Sequence, residues 1–140
     1  MTEKKKRMLL IIISIILMII GTILYVLFNR NVWVTQLIFS LITIPDLIIH
    51  ESFPVEAIRN YGADLLWSTA FTVMTQSILW KKRKDLWILL FCCLLGTIYE
   101  LMQLIGVAKG TADYSDVLIY LCGSLVGILI ILGGRLYEKC

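Results

Sequence analysis

The stretch Met8–Phe28 constrains the fold most, because it carries no charged residue and is as long as a membrane span. A helix needs about 20 mostly apolar residues to cross the hydrocarbon core of a bilayer. Only Ser14, Gly21 and Thr22 interrupt the apolar run, and the basic residues Lys4–Arg7 precede it. A signal peptide also starts this way, but this run is too long for one and no small-residue cleavage site follows. We therefore interpret Met8–Phe28 as a retained membrane anchor.

The composition extends this interpretation to the whole chain. Of its 140 residues, 59% are hydrophobic and 16% are charged, whereas a soluble domain has roughly 45–50% and 25%. The polar residues are too few to cover a globule. We predict an all-α, polytopic helical membrane protein that forms a single membrane domain over residues 1–140. The net charge of +3 comes from clusters beside the spans, so the expected partner is the lipid bilayer and not nucleic acid.

The apolar stretches predict four transmembrane helices. They cover about 8–28, 62–80, 86–107 and 115–133. Lys and Arg favour the cytoplasmic side of a membrane. With four spans, that side holds all but three of the 13 basic residues, the exceptions being Arg30, Arg59 and Lys109. This arrangement places the amino and carboxyl termini in the cytoplasm.

The stretch of residues 32–60 is harder to assign. It is long enough for a fifth span, but Gln36, Pro45 and Asp46 interrupt it. A fifth span would also move the basic cluster Lys81–Lys84 to the outside, against the charge rule. We therefore predict a re-entrant or interfacial helical segment on the outer side, covered by protein where its backbone enters the membrane.

Most acidic residues gather at the opposite side from the basic clusters. Seven of the ten fall at or near the outer side: Asp46, Glu51, Glu56, Asp64, Glu100, Asp113 and Asp116. Glu100 is the one charge inside an otherwise apolar span, about 21 Å along the third helix. An intramembrane carboxylate is costly and usually faces protein or a water-filled cavity.

Helical spacing collects further polar residues near Glu100. Asp64 opens the second predicted span and Asp116 opens the fourth, so alternating span directions bring both toward the outer part of the third. We predict an outward-facing polar pocket, whose binding candidates are Asp64, Glu100, Gln103, Asp113, Asp116 and Tyr120. Small residues that permit close helix packing are Gly96, Gly123 and Gly127.

Simpler roles for these residues remain open. Asp64 and Asp116 would also serve as N-caps, which the exposed amides at a helix start favour. Glu100 would also act as a protonated, neutral hydrogen-bonding group. Carboxylate oxygens suit Ca²⁺ or Mg²⁺, but no ligand-loop pattern is present, and His50 beside Glu51 is too little for zinc. We expect neither a bound metal nor a cofactor, and we interpret the adjacent Cys92 and Cys93 as small apolar residues.

The last two spans resemble the VanZ-like membrane family. The residues that carry the resemblance are Gly96-Thr-Ile-Tyr-Glu100-Leu-Met-Gln103, Gly110-Thr-Ala-Asp113-Tyr-Ser-Asp116, and then Tyr120, Gly123 and Gly127. The family pattern is an E-x-x-Q helix, a short loop ending in Asp, and a helix with D-x-x-x-N-x-x-G-x-x-x-G. Tyr120 stands where the family often has asparagine, and Leu65 stands where the family often has lysine. The opening of the second predicted span, Tyr61-Gly-Ala-Asp64-Leu-Leu-Trp67, is also similar to the family's preceding helix. The resemblance therefore spans roughly residues 60–134 and implies a multi-pass protein of the bacterial cell membrane, in a family associated with reduced glycopeptide antibiotic susceptibility.

Three functions remain open from the sequence. The favoured one is a non-catalytic envelope factor whose pocket binds a lipid headgroup, a cell-wall precursor or a partner membrane protein. The second is a membrane enzyme that acts on a lipid or cell-wall precursor, with Glu100 and a neighbouring carboxylate as an acid/base pair. The third is a cation-coupled transporter, for which so few spans predict an oligomer. The sequence favours a protein that is not an enzyme, but it does not decide the question.

Overall fold

The computed structural model describes residues 2–28, 53–80, 85–107 and 113–136. These residues form four α-helices: α1 (Glu3–Phe28), α2 (Phe53–Ile78), α3 (Asp85–Leu104) and α4 (Tyr114–Leu136). Within them the prediction of an all-α chain is confirmed.

Three of the helices are long and apolar enough to cross a membrane. They are α1, most of α3 (Leu86–Leu104) and most of α4 (Tyr114–Gly134). Many of their large apolar side chains are exposed. In the bundle as a whole, several polar side chains, including those of Thr72, Gln76 and Glu100, are buried. Soluble proteins rarely expose apolar surface on this scale. The chain is therefore a small, multi-pass helical membrane protein.

The remaining helix, α2, is the most polar and also the most central. It packs along α1 and α4 and, over a shorter contact, against α3. Its fully or nearly fully buried polar residues are Thr69, Thr72, Gln76 and Ser77. Neighbouring helices cover these groups, so α2 needs less apolar surface than a helix that faces lipid.

α2 begins earlier than the sequence predicts. The predicted span starts at Gly62, but the helix starts at Phe53, so residues 53–60 of the predicted outer segment form about its first two turns. Pro54 lies in the first turn, where its missing N–H removes no helix bond, and Glu56 there is favoured by the helix dipole. Hydropathy marked where the apolar run begins and not where the helix begins. The rest of that segment, residues 32–52, lies outside the described residues.

α3 ends earlier than the predicted span, which ran to Val107. Gly106 adopts a left-handed backbone conformation with φ of 76°. Its N–H donates to the Gln103 carbonyl at 3.0 Å, and the Val107 N–H donates to the Met102 carbonyl at 2.9 Å. This pair of bonds is the Schellman motif, which terminates helices and favours glycine at the left-handed position. The chain therefore leaves the helix after Leu104 although the sequence stays apolar.

Contacts between helices fix their relative directions. Arg7, near the start of α1, donates to the carbonyls of Ser77 at 3.0 Å and Ile78 at 3.3 Å, at the end of α2. α1 and α2 are therefore antiparallel, and the guanidinium lies at the negative end of the α2 dipole. Near this end, Leu10, Val73, Trp80 and Ile131 form the apolar core.

α4 runs parallel to α2 and antiparallel to α3. A Cβ placed on Gly123 would meet the Leu65 carbonyl, and one on Gly127 would meet the Thr69 carbonyl. Both contacts move forward by four residues, so α2 and α4 run in the same direction. On α3, by contrast, Glu100 contacts Asp113 at the start of α4. Successive helices thus alternate in direction, and the end of α3 lies beside the starts of α2 and α4. We call this the acidic end of the bundle.

Candidate functional site: carboxylates at the acidic end

Glu100 occupies the centre of the candidate site. Its side chain is only 6% exposed, although it lies in a helix whose other faces are largely open to lipid. The Tyr120 hydroxyl donates to Glu100 Oε1 at 3.3 Å, and the backbone N–H of Asp113 donates to Oε2 at 3.1 Å. Both carboxylate oxygens are therefore occupied by groups of α4 and the residue before it.

Both hydrogen bonds of Glu100 use its side-chain oxygens as acceptors. An ionised carboxylate can only accept, and both of its partners here can donate. The Asp113 N–H also belongs to the amino-terminal end of α4, where the helix dipole favours negative charge. The protonated, neutral form of Glu100 that the sequence left open stays a prediction.

Asp113 is the N-cap of α4. Its Oδ1 accepts the Ser115 N–H at 2.9 Å, which is the bond a capping side chain makes to the second residue of a helix. The cap role considered for Asp116 is therefore wrong, because the helix starts at Tyr114. The cap role considered for Asp64 is also wrong, since α2 starts at Phe53 and Asp64 lies about three turns inside it.

The structure brings together four of the predicted binding residues. Asp64 lies within electrostatic range of both Asp116 and Glu100, and Tyr120 lies within range of all three carboxylates. Asp64, Asp116 and Tyr120 are each partly buried. Three helices, α2, α3 and α4, thus each contribute one carboxylate to the same region.

Gln103 and Asp113 lie at the edge of this group. Gln103 lies one turn beyond Glu100 on α3, and its side-chain oxygen is buried without a hydrogen-bond partner among the described residues. The Asp113 side chain is exposed and is used in the cap. The binding role of all six predicted residues stays a prediction.

The packing glycines lie at the closest approaches between these helices. The Tyr120 ring lies directly over Gly96 of α3, where any Cβ would overlap it. Gly123 and Gly127 lie against backbone carbonyls of α2. The missing side chain at Gly96 therefore lets the Tyr120 ring lie against α3, where its hydroxyl reaches Glu100 one turn further along. The missing side chains at Gly123 and Gly127 let α2 and α4 approach closely.

Sequence reasoning missed the aromatic side chains on the α1 side of the site. The rings of Tyr25 and Trp67 contact each other, with centroids 5.3 Å apart. Tyr25 is also in electrostatic range of Asp64 and Tyr99. The alternation of helix directions already places Tyr25, near the end of α1, at the acidic end. Its neighbours on other helices required the tertiary structure.

The described residues provide no further observation for metal binding or redox chemistry. In the described parts of the chain, no three His, Cys, Asp or Glu side chains lie close enough together to hold a metal ion. Cys92, Cys93 and Cys122 are free thiols. His50, Glu51, Lys109 and Cys140 lie outside the described residues.

Comparison with protein-family models, curated protein sequences and solved structures finds no match to this chain. The resemblance to the VanZ-like family therefore rests on the motif residues alone. The site has to be interpreted from its own chemistry.

Proposed function

We propose that the protein binds an amine-bearing polar component of the cell envelope at the carboxylates of Asp64, Glu100 and Asp116. One observation carries the proposal: Glu100 is almost fully buried, is held by two hydrogen bonds, and lies within electrostatic range of the other two carboxylates. None of the three forms an ion pair with a described residue. A cationic ligand would relieve the repulsion among them.

The surrounding side chains support an amine over other ligands. Carboxylates accept hydrogen bonds and an ammonium group donates three of them. The rings of Tyr25 and Trp67 lie in contact with each other, with Tyr25 in electrostatic range of Asp64, and aromatic rings attract cations. A phosphate would need a bridging metal ion, and the described side chains form no set suited to one. The ligand class is therefore an ammonium group on a lipid headgroup or on a sugar of a cell-wall precursor.

The proposed topology has four spans, with α2 as the fourth. α2 is 26 residues long, and about 39 Å at 1.5 Å per residue is enough to cross a bilayer. The basic residues at the start of α1 place that end in the cytoplasm by the charge rule, so the acidic end faces outward. The motif resemblance to the VanZ-like family supports a place in the bacterial cell envelope and a link to glycopeptide susceptibility.

The test removes the charge of Glu100 while keeping its shape. In Glu100→Gln the amide oxygen accepts the Asp113 N–H, and the amide nitrogen donates to the Tyr120 oxygen, so both contacts persist. The full chain in phosphatidylglycerol nanodiscs is titrated with ethanolamine or glucosamine, and Tm is followed by tryptophan fluorescence. Wild type should gain stability with added amine. Glu100→Gln should weaken binding at least about tenfold, because a charge-assisted hydrogen bond contributes about 1.5–3 kcal/mol.

Two controls distinguish the site from general charge effects. Glu56→Gln removes an exposed carboxylate on α2 that faces Arg59, and it should bind like wild type. N-acetylglucosamine lacks the ammonium group and should give no shift. If wild type shows no amine-dependent shift, or if Glu56→Gln abolishes the shift as fully as Glu100→Gln, the proposal fails. Nanodiscs that contain phosphatidylethanolamine report whether a lipid headgroup competes with the free amine.

A further inference from the structure

A second buried polar region lies deeper in the bundle, where α2, α3 and α4 meet. Thr72 of α2 and Ser124 of α4 have no exposed surface. The thiols of Cys92 and Cys93 on α3 lie beside these hydroxyls, Cys92 by Thr72 and Cys93 by Ser124. Because the two cysteines are neighbours in sequence, both hydroxyls face the same turn of α3.

The hydroxyls of Thr72 and Ser124 differ from other hydroxyls in the bundle. Ser77, Ser14 and Thr69 each donate to a carbonyl of their own helix, at 2.6, 2.8 and 2.7 Å. The thiols of Cys92 and Cys93 lie close to Thr72 Oγ1 and Ser124 Oγ, but not at the distance and angle of a hydrogen bond, and no other described group bonds these two oxygens. Buried hydroxyls without a partner are costly in an apolar surrounding, and native structures usually satisfy them with protein or with ordered water.

We propose that a water molecule is bound between α2, α3 and α4, where it bridges Thr72 Oγ1 and Ser124 Oγ. Buried water typically makes two to four hydrogen bonds to otherwise unsatisfied groups. The two hydroxyls supply the main partners, and the thiols of Cys92 and Cys93 supply weaker ones. The water would lie about 11 Å along α3 from Glu100, so it is a site separate from the carboxylates.

Isosteric substitutions test the water by the sign and coupling of their effects. Thr72→Val and Ser124→Ala each remove one hydroxyl with little change of shape. If a water bridges the pair, each single variant lowers Tm by a few degrees, and the double variant loses clearly less than the sum. If the hydroxyls are dry and unpaired, each substitution leaves Tm unchanged or raises it, which overturns the proposal.

A second double-mutant cycle distinguishes a bridging water from a direct hydrogen bond between the Thr72 hydroxyl and the Cys92 thiol. Coupling of Thr72→Val to Cys92→Ala, without coupling to Ser124→Ala, would assign the partner to the thiol and overturn the proposal. Additive effects of Thr72→Val and Ser124→Ala would overturn it as well. Thr72→Ser keeps the hydroxyl and so the bridge, and Ser124→Ala should lower Tm as much in that background as in wild type, even if Thr72→Val does not fold. Thr22→Val is the matched control, because the exposed Thr22 hydroxyl donates to the Met18 carbonyl of its own helix, and it should show no coupling.

Discussion

The two faces of α2 pack in different ways. Toward α1, Gly21 lies against the Trp67 indole, and a Cβ at Gly21 would lie 2.8 Å from indole atoms. Toward α4, Gly123 lies against the Ser68 side chain and the backbone of α2, and its Cβ would lie 2.6 Å from the Leu65 carbonyl oxygen. A side chain can change its rotamer, whereas a helix carbonyl cannot move without its helix. The comparison shows that one helix can combine an adaptable interface with a rigid one.

The two faces also differ in polarity. The Thr69 hydroxyl lies 2.7 Å from the Leu65 carbonyl of its own helix and 3.0 Å from the Gly123 carbonyl of α4. Its one proton is shared between the two carbonyls, so a buried three-centre hydrogen bond reaches across that interface. On α1, the buried hydroxyl of Ser14 bonds within its own helix, to Ile11 at 2.8 Å. Membrane helices associate through close packing and interhelical hydrogen bonds and not through a hydrophobic driving force. The α2–α4 face uses both, and it also positions α4 for its contacts with Glu100.

Gly123→Ala should have the largest effect on stability. The added methyl group would overlap the Leu65 carbonyl and the Ser68 hydroxyl, so α4 must move away from α2. Overpacking of this kind costs about 1–3 kcal/mol, and we expect about 2–3 kcal/mol because the obstacle is backbone. The measurement is the free energy of unfolding from an SDS titration in mixed micelles, followed by tryptophan fluorescence.

Gly133→Ala is the matched control on the same helix. A Cβ at Gly133 meets nothing within 4 Å, so this variant should be as stable as wild type or slightly more stable. Equal losses in Gly123→Ala and Gly133→Ala would contradict this prediction, because alanine favours a helix over glycine and only Gly123 contacts α2.

Thr69→Val should have a smaller effect on the same interface. It removes the hydroxyl that is shared between the Leu65 and Gly123 carbonyls, while keeping the volume of the side chain. Interhelical hydrogen bonds in membrane proteins average about 0.6 kcal/mol, and we expect a loss near that value in the same titration. Thr22→Val removes a hydroxyl that bonds only within α1 and should be neutral. A loss above that of Gly123→Ala would contradict the view that packing dominates this face.

The three most apolar helices could be predicted from hydropathy, but hydropathy is a weaker guide to the extent of α2. Its polar residues Thr69, Thr72 and Gln76 are covered by other helices, so they left only a weak apolar signal in the sequence. Its start at Phe53 depends on the local preferences of Pro54 and Glu56 and not on the bilayer. The end of α3 depends likewise on the left-handed Gly106.

The candidate site shows a similar division. Alternating helix directions suffice to place Asp64, Glu100 and Asp116 toward one end, since this needs only the order of the spans. The assignment of the α4 cap to Asp113 required the helix start to within a few residues, which hydropathy does not give. The contact of Tyr25 with Trp67 depends on how α1 rotates about its axis, and its apolar residues are spread too evenly to indicate that rotation.

Gly21→Ala should have the smallest effect, and it sharpens the contrast between the two faces of α2. The added Cβ meets Trp67 indole atoms and the Leu66 Cβ, the latter at 3.3 Å, so the indole must shift. Alanine stabilises a helix over glycine by about 0.5–1 kcal/mol, which offsets most of that cost. We expect a net change within about 0.5 kcal/mol, together with a shifted tryptophan emission spectrum as the indole moves relative to Tyr25. A loss as large as that of Gly123→Ala, with an unshifted spectrum, would mean that Trp67 is as immobile as a backbone carbonyl and that both faces of α2 are rigid.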